Sequence, residues 1–312
     1  MKYFDLHCDT ADELYTGKKE LYSNNLAVSL EKAEAFEKYV QLYAIFTRTE
    51  LDDEEGWTEF LRTRENFLAQ CEKYGVRVIN SGDELEEFDK GDGRFAAILT
   101  VEDARILGGK LGRVYEMKKL GVKVVTPLWG GLTCVGGSHN TDAGLTPFGR
   151  KAVYAMAECG IIPDISHSSF RSADEITEIC DDCGVSPIAT HMNSYSVCAH
   201  SRNLMDERFR RLCSLGGIAG VSLCPPHLVY GKGHVTASPD AVVPHFRKYD
   251  SLCAGHVSFG CDMDGTSLPE GIHGIEDIPA LCEILAENGF TEEKLESITY
   301  GAAYNFMRRN MR

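Results

Sequence analysis

Residues 144–167 read GLTPFGRKAVYAMAECGIIPDISH. Thr146 stands where an N-cap belongs, Pro147 occupies the first helical position, and Gly160 falls just past the end. That start and stop chemistry predicts one amphipathic helix. The glycine leads without a linker into IIPDISH (161–167), a short apolar run that reads as a buried parallel strand ending on His167.

The same unit recurs in both directions. Helical stretches ending at Gly75, Gly121 and Gly184 also run directly into apolar segments. Strand candidates are YFDLHCD (3–9), YVQLYAIFT (39–47), FAAILTVE (95–102), VKVVTPLW (122–129), IIPDISH, PIATH (187–191), GIAGVSL (217–223) and HVSFGCD (256–262). Eight strands alternating with helices predict an α/β fold of the (β/α)8 TIM-barrel type. No GxGxxG follows the first strand, which argues against a dinucleotide-binding open sheet. A further short run, VRVIN (76–80), makes a ninth strand and predicts a distorted or inserted-into barrel. No linker, repeat or low-complexity segment divides residues 1–312, so a single barrel domain is expected.

The formal net charge of -15 excludes a phosphate-backbone partner and disfavours an anionic membrane surface, both of which need a surplus of Lys and Arg. MKYFDLH shows no apolar leader, and no run approaches the length of a membrane span, so the expected address is the cytoplasm. The twelve cysteines are expected to be reduced thiols there. Cys180 and Cys183 form the one CxxC, and at the end of a helix they read as neighbours on one face, with no second pair to complete a tetrathiolate site.

Metal-competent residues fall at the carboxyl ends of these strands: His7 and Asp9, Glu102, His167, His191 and Asp262. A barrel brings those ends to one rim, where residues distant in sequence converge. Alternation sends His7 and Asp9 to one face of their strand and Leu6 and Cys8 to the other. Each residue alone has a plainer reading: a strand-end histidine is commonly a satisfied polar group, and Asp9 before TADELY suits a helix cap. Three histidines and three carboxylates at one rim favour a metal site, because such charges repel or stay undersolvated without a cation. Imidazole and carboxylate without thiolate suit zinc, with manganese or iron as alternatives. Two ions need a bridging carboxylate, and Glu102 lies on the strand between the two sets. His139, in the glycine-rich loop CVGGSHN, reads as a solvated loop residue within reach of the rim. His200, His227, His234, His245, His256 and His273 read as surface or core residues.

In order along the chain, HCD, LTVED, GLTPFGRKAVYAMAECGIIPDISHSS, ATHMNSYSVCAHSRNL and FGCDMDG resemble the renal (membrane) dipeptidase family of zinc peptidases, among the amidohydrolase-like metal-dependent barrels. The resemblance implies hydrolysis of dipeptides, including those with a D-residue on the carboxyl side, by a hydroxide formed between two zinc ions. By position, it places His7 and Asp9 on one zinc, His167 and His191 on the other, and Glu102 between them. Arg202 would grip the substrate's terminal carboxylate, Asp262 would shuttle the proton, and Asp264 would order the turn.

Two departures stand out. Trp129 closes VTPLW where animal members place a histidine expected to contact the scissile region, so Trp129 becomes a substrate-binding candidate that bears on substrate range. Asp103 follows Glu102 where the family typically has glycine. The membrane attachment of animal members is not implied here, and a homodimer is compatible with the resemblance. Competing readings keep the barrel and metals but act on N-acyl amino acids or another amide, or retain the metals only to bind peptides.

Overall fold

The computed structural model describes residues 1–312 except Lys232. Its nine strands are β1 (Lys2–Cys8), β2 (Lys38–Phe46), β3 (Arg77–Val78), β4 (Phe95–Glu102), β5 (Val124–Thr126), β6 (Ile162–Pro163), β7 (Ile188–Ala189), β8 (Ile218–Val221) and β9 (Val257–Phe259). All pairings between them are parallel, and eight follow one another in the order β6-β5-β4-β2-β1-β9-β8-β7. A parallel bridge between Asp164 and Ile188, with the Ile165 N–H donating to the Ile188 carbonyl at 2.8 Å, spans the gap between β6 and β7. The result is a nearly closed (β/α)8 barrel, as the alternation of strands and helices predicts.

The ninth strand is an insertion that leaves the barrel intact. β2 pairs along the whole of one edge of β4; on the other edge β3 takes Ala96 and Ala97, while β5 takes Thr100 to Glu102. β3 therefore fills the part of the edge that β5 does not reach.

Two apolar layers hold the barrel. Phe4, Leu6, Val40, Leu42, Ile98, Val124, Ile188 and Ile218 form an inner cluster, and Ala303, Phe306 and Met307 of the helix Ala302–Asn310 pack into it. Alternate residues such as Tyr3, Tyr39, Leu99, Val101, Val125 and Val221 belong to the larger cluster beneath the surrounding helices. With that helix packed into the inner cluster, the carboxyl ends of the strands form the free mouth.

The later strands are shorter than their apolar runs suggest. β5 stops at Thr126, before Trp129; β6 stops at Pro163, before His167; β7 stops at Ala189, before His191; and β9 stops at Phe259, before Asp262. Beyond these points side chains replace the ladder. Buried Asp164 accepts the backbone N–H groups of Ser166 (2.9 Å) and Thr190 (3.0 Å) and the hydroxyls of Thr126 (2.6 Å) and Thr190 (2.5 Å).

β1 departs from strict alternation. Its register with β2 slips between Asp5 and Cys8, a bulge that puts Leu6 in the inner cluster and Cys8 in the outer one, so these two do not share a face as expected. The Asp5 carboxylate stabilises the bulge by accepting the N–H groups of His7 (2.9 Å) and Cys261 (3.1 Å).

All twelve cysteines are free thiols. Among the described residues, no helix is long and apolar enough to cross a membrane.

Candidate metal centre and substrate pocket

Glu102 is the last paired residue of β4 and its carboxylate is buried. The two oxygens divide the neighbouring imidazoles: Oε1 lies 2.9 Å from His167 Nε2 and 3.4 Å from His191 Nε2, while Oε2 lies 3.6 Å from His7 Nε2. His7 Nε2 is also 3.5 Å from Asp9 Oδ2 and 3.7 Å from Asp262 Oδ1. Thus the six strand-end residues converge, with Glu102 between a His7/Asp9/Asp262 group and a His167/His191 group.

Hydrogen bonds on the far side of two rings fix which nitrogen faces inward. His167 Nδ1 must donate to the Trp129 carbonyl, which only accepts (3.2 Å). His191 Nδ1 lies 2.8 Å from Thr190 Oγ1, whose own proton goes to Asp164, so this imidazole also donates from Nδ1. Both Nε2 atoms then present bare lone pairs, 2.8 Å apart and beside a carboxylate oxygen. Three acceptors at this spacing repel one another unless a cation sits among them. A tetrahedral zinc with bonds of about 2.0–2.1 Å needs its ligand atoms roughly 3.3 Å apart; the His191–Glu102 spacing of 3.4 Å matches this, and the other two, 2.8 and 2.9 Å, are shorter. The donor set fits.

Orphaned atoms lead to the same centre. His7 Nε2, Asp9 Oδ1 and Glu102 Oε1 are buried without an ordinary hydrogen-bond partner. Asp9 occupies the N-cap position of the helix Thr10–Thr16 but makes no capping bond, which disfavours the plainer reading of that residue. Burial, followed by Arg202, holds the His167 imidazole down to about 4; burial, followed by His7, holds His191 well below the ordinary range. Both are then neutral near pH 7, the form a metal ligand requires. Burial disfavours a charged His7 too, but Glu102 and Asp9 outweigh it and raise its pKa well above normal.

Backbone conformation aims several of these groups. Asp103, His167, Asp262 and Asp264 have φ of 69°, 62°, 63° and 68°, a region L-residues rarely occupy. Asp264 accepts Thr10 Oγ1 (2.6 Å) and the Ala27 N–H (2.7 Å), tying the turn after Asp262 to the early loops.

A cavity of about 610 Å³ opens over the centre, within the size range of small-molecule sites. Arg202 reaches it and is only 2% exposed, yet neither Nη1 nor Nη2 has a partner. The loop bearing it is fastened to the segment after β8 through Asn193, which bonds the Ser222 carbonyl (3.0 Å) and N–H (2.8 Å). Asn203 adds bonds to the Cys198 and His227 carbonyls (both 2.8 Å). Trp129 forms part of another wall, edge-on to Phe46 with ring centroids 4.9 Å apart.

His139 also lines the cavity, and so do His200 and His227, which corrects the reading of the latter two as ordinary surface or core residues. Sequence reasoning missed them because loops after different strands bring them together. The closeness of His200 to Arg202 in HSRN was the one available signal. It also passed over Asp5 and Asp164, the carboxylates two residues before His7 and Ser166 that accept backbone N–H groups at the ends of the strands. His245 is a satisfied core residue, bonded to the Ser194 N–H (3.0 Å) and the Leu228 carbonyl (2.9 Å).

Comparison with known proteins places the chain by sequence and by fold. Over 235 residues the chain is 24% identical to an uncharacterized dipeptidase of Schizosaccharomyces pombe, covering 72% of this chain and 55% of that protein. The chain spans about half the length of the curated relatives it matches. Its fold matches the crystal structure of dipeptidase AC, a metallopeptidase of family M19, with TM-score 0.90 and 22% identity, covering 100% of this chain and 99% of the other. It also matches a Rhodobacter sphaeroides metallopeptidase liganded with a phosphinate mimic of L-Ala-D-Ala, with TM-score 0.90, 21% identity and 99% of each chain covered. The model of the membrane dipeptidase family, peptidase family M19, matches residues 1–310, and the chain belongs to that family.

Proposed function

We propose that the protein is a metal-dependent dipeptidase using two zinc ions. The observation that carries this reading is the buried, unpartnered guanidinium of Arg202 opening onto the same cavity as the six-residue cluster. A buried cation with no hydrogen-bonded counter-ion is costly, even with Asp262 and Glu102 in the same site, and a planar guanidinium with two free Nη groups suits a carboxylate held by parallel hydrogen bonds. Anchoring the substrate's free carboxylate there fixes the distance to the scissile bond and selects dipeptides over longer chains.

His7 and Asp9 would hold one ion, His167 and His191 the other, and Glu102 both. When bound, the ions supply Lewis acidity toward the carbonyl oxygen and ease deprotonation of water at the site. Asp262, beside His7 at the mouth, takes the proton from the attacking water and delivers it to the departing amine. The carbonyl of Trp129 orients His167, and its ring with Phe46 forms an apolar wall for a substrate side chain. The dipeptide-mimic complex of the Rhodobacter sphaeroides metallopeptidase supports the substrate class, including a D-residue on the carboxyl side.

The aromatic wall favours one second reading, an N-acyl amino acid whose acyl group packs on Phe46 and Trp129. Turnover on L,L- and L,D-dipeptides, tripeptides and N-acyl amino acids, with metal content measured on the same sample, separates the two. Hydrolysis confined to dipeptides is expected. A metal-replete protein inert on every dipeptide would overturn the proposal.

A further inference from the structure

We propose that the lobe around Arg202 reads a second negative charge, so that preferred substrates carry an acidic side chain, aspartate or glutamate, on the carboxyl-side residue. This rests on the dipeptidase reading and adds the substrate class.

An α-carboxylate uses the two free Nη groups of Arg202, and the lobe offers more donors than that. His200 and His227 come from the segments after β7 and β8, with ring centroids 4.9 Å apart. The Arg202 N–H donates to His200 Nδ1 at 3.2 Å, so the His200 proton resides on Nε2. The His227 ring has no hydrogen-bond partner among the described residues, and His139 contributes a buried Nδ1 without one. All three line the same cavity as Arg202.

Among the described residues, no carboxylate ranks with the leading charged neighbours of these three imidazoles. The dominant charged neighbour of His200 is Arg202; those of His139 and His227 are Arg202 and other histidines. The acidic residues of the cavity, Asp9, Asp12, Glu13, Glu102, Asp262 and Asp264, come from the end of β4 and the segments after β1 and β9. In a chain of net charge -15, this concentration of donors makes a local exception that an anionic side chain fits. A substrate held by its α-carboxylate on Arg202 projects its carboxyl-side side chain into this lobe.

The test compares kcat/KM for Ala-Asp with Ala-Asn, which differ only in charge and donor pattern, in both L,L and L,D forms. A preference for the acid of about tenfold or more is expected, on the scale of one charge-assisted hydrogen bond. In His227→Leu and His139→Phe the acid-to-amide ratio should fall toward one. Equal rates on acid and amide in the wild type, or an acid preference that survives in both variants, would overturn the inference. Calorimetric titration of the metal-loaded protein with aspartate and asparagine gives a readout independent of turnover, with tighter binding of aspartate expected. Discrimination in binding with no dipeptide cleaved would sink the dipeptidase reading and keep this one; cleavage of dipeptides without discrimination would do the reverse.

Discussion

At the scale of single residues, the position after Glu102 shows how a non-glycine residue is held in a left-handed backbone conformation beside the site. Asp103 holds φ at 69°, a conformation glycine adopts freely, and its buried carboxylate bonds the Arg105 N–H (3.1 Å) and Nε (2.6 Å). Aspartate thus offsets a strain of about 1–2 kcal/mol with local bonds that glycine cannot make. Asp103→Ala keeps the strain and loses the bonds, so urea denaturation should show a loss of about 2–3 kcal/mol. Asp103→Gly relieves the strain and should lose about half as much. Equal losses would mean that the bonds alone matter. For Glu102, the near-isosteric Glu102→Gln removes the charge shared by both halves of the cluster. Turnover should fall by at least about 100-fold while the far-UV circular dichroism is unchanged; near wild-type turnover would rule out the bridging role. Asp262→Asn should keep both metal ions and lose turnover, whereas loss of one ion would make Asp262 a ligand.

At the scale of elements, the sequence exposed what local chemistry determines. The helix Pro147–Cys159 has its Thr146 cap and its left-handed Gly160 where the capping pattern puts them, and β4 matches FAAILTVE residue for residue. Termini of β5, β6, β7 and β9 were not legible, because Asp164 and Asp5 take over backbone bonding through contacts between strands far apart in sequence. The bulge in β1 depends on Cys261 of another segment, and the imidazoles beside Arg202 meet only when two loops are fastened together. Close approach among β7, β8 and β9 is another such feature. A Cβ on Gly220 or Gly260 would lie 2.0 or 1.8 Å from the Thr190 carbonyl oxygen, a backbone atom that cannot swing aside. Since His191 follows Thr190, Gly260→Ala should push a metal-ligand candidate out of place as well as overpack the barrel. A loss of about 1–3 kcal/mol in denaturation is expected, together with reduced metal per chain by elemental analysis. Full metal content in a destabilised Gly260→Ala protein would show that the segment yields without moving His191.

At the scale of the whole molecule, the barrel converts scattered residues into one centre and places opposing demands on that centre. The inner apolar cluster and the helix Ala302–Asn310 stabilise the amino-terminal end of the barrel without help from any ligand. The mouth instead gathers buried carboxylates and inward-facing imidazole lone pairs that are favourable only around positive charge. Metal binding should therefore contribute to stability while leaving the barrel architecture independent of it. A ligand that binds only the native state, present at 1,000 times its dissociation constant, stabilises by about 4 kcal/mol, which for a chain of this size shifts Tm by roughly 6 °C. Calorimetry on the metal-loaded protein with and without a chelator should show a drop of that order, with the far-UV circular dichroism of the native state preserved and the loss reversed by adding zinc. Collapse of the circular dichroism on chelation would assign the metals a role in forming the barrel itself. An unchanged Tm would mean that the clustered carboxylates and imidazoles are stable without a cation, contrary to the electrostatics on which the metal centre is argued.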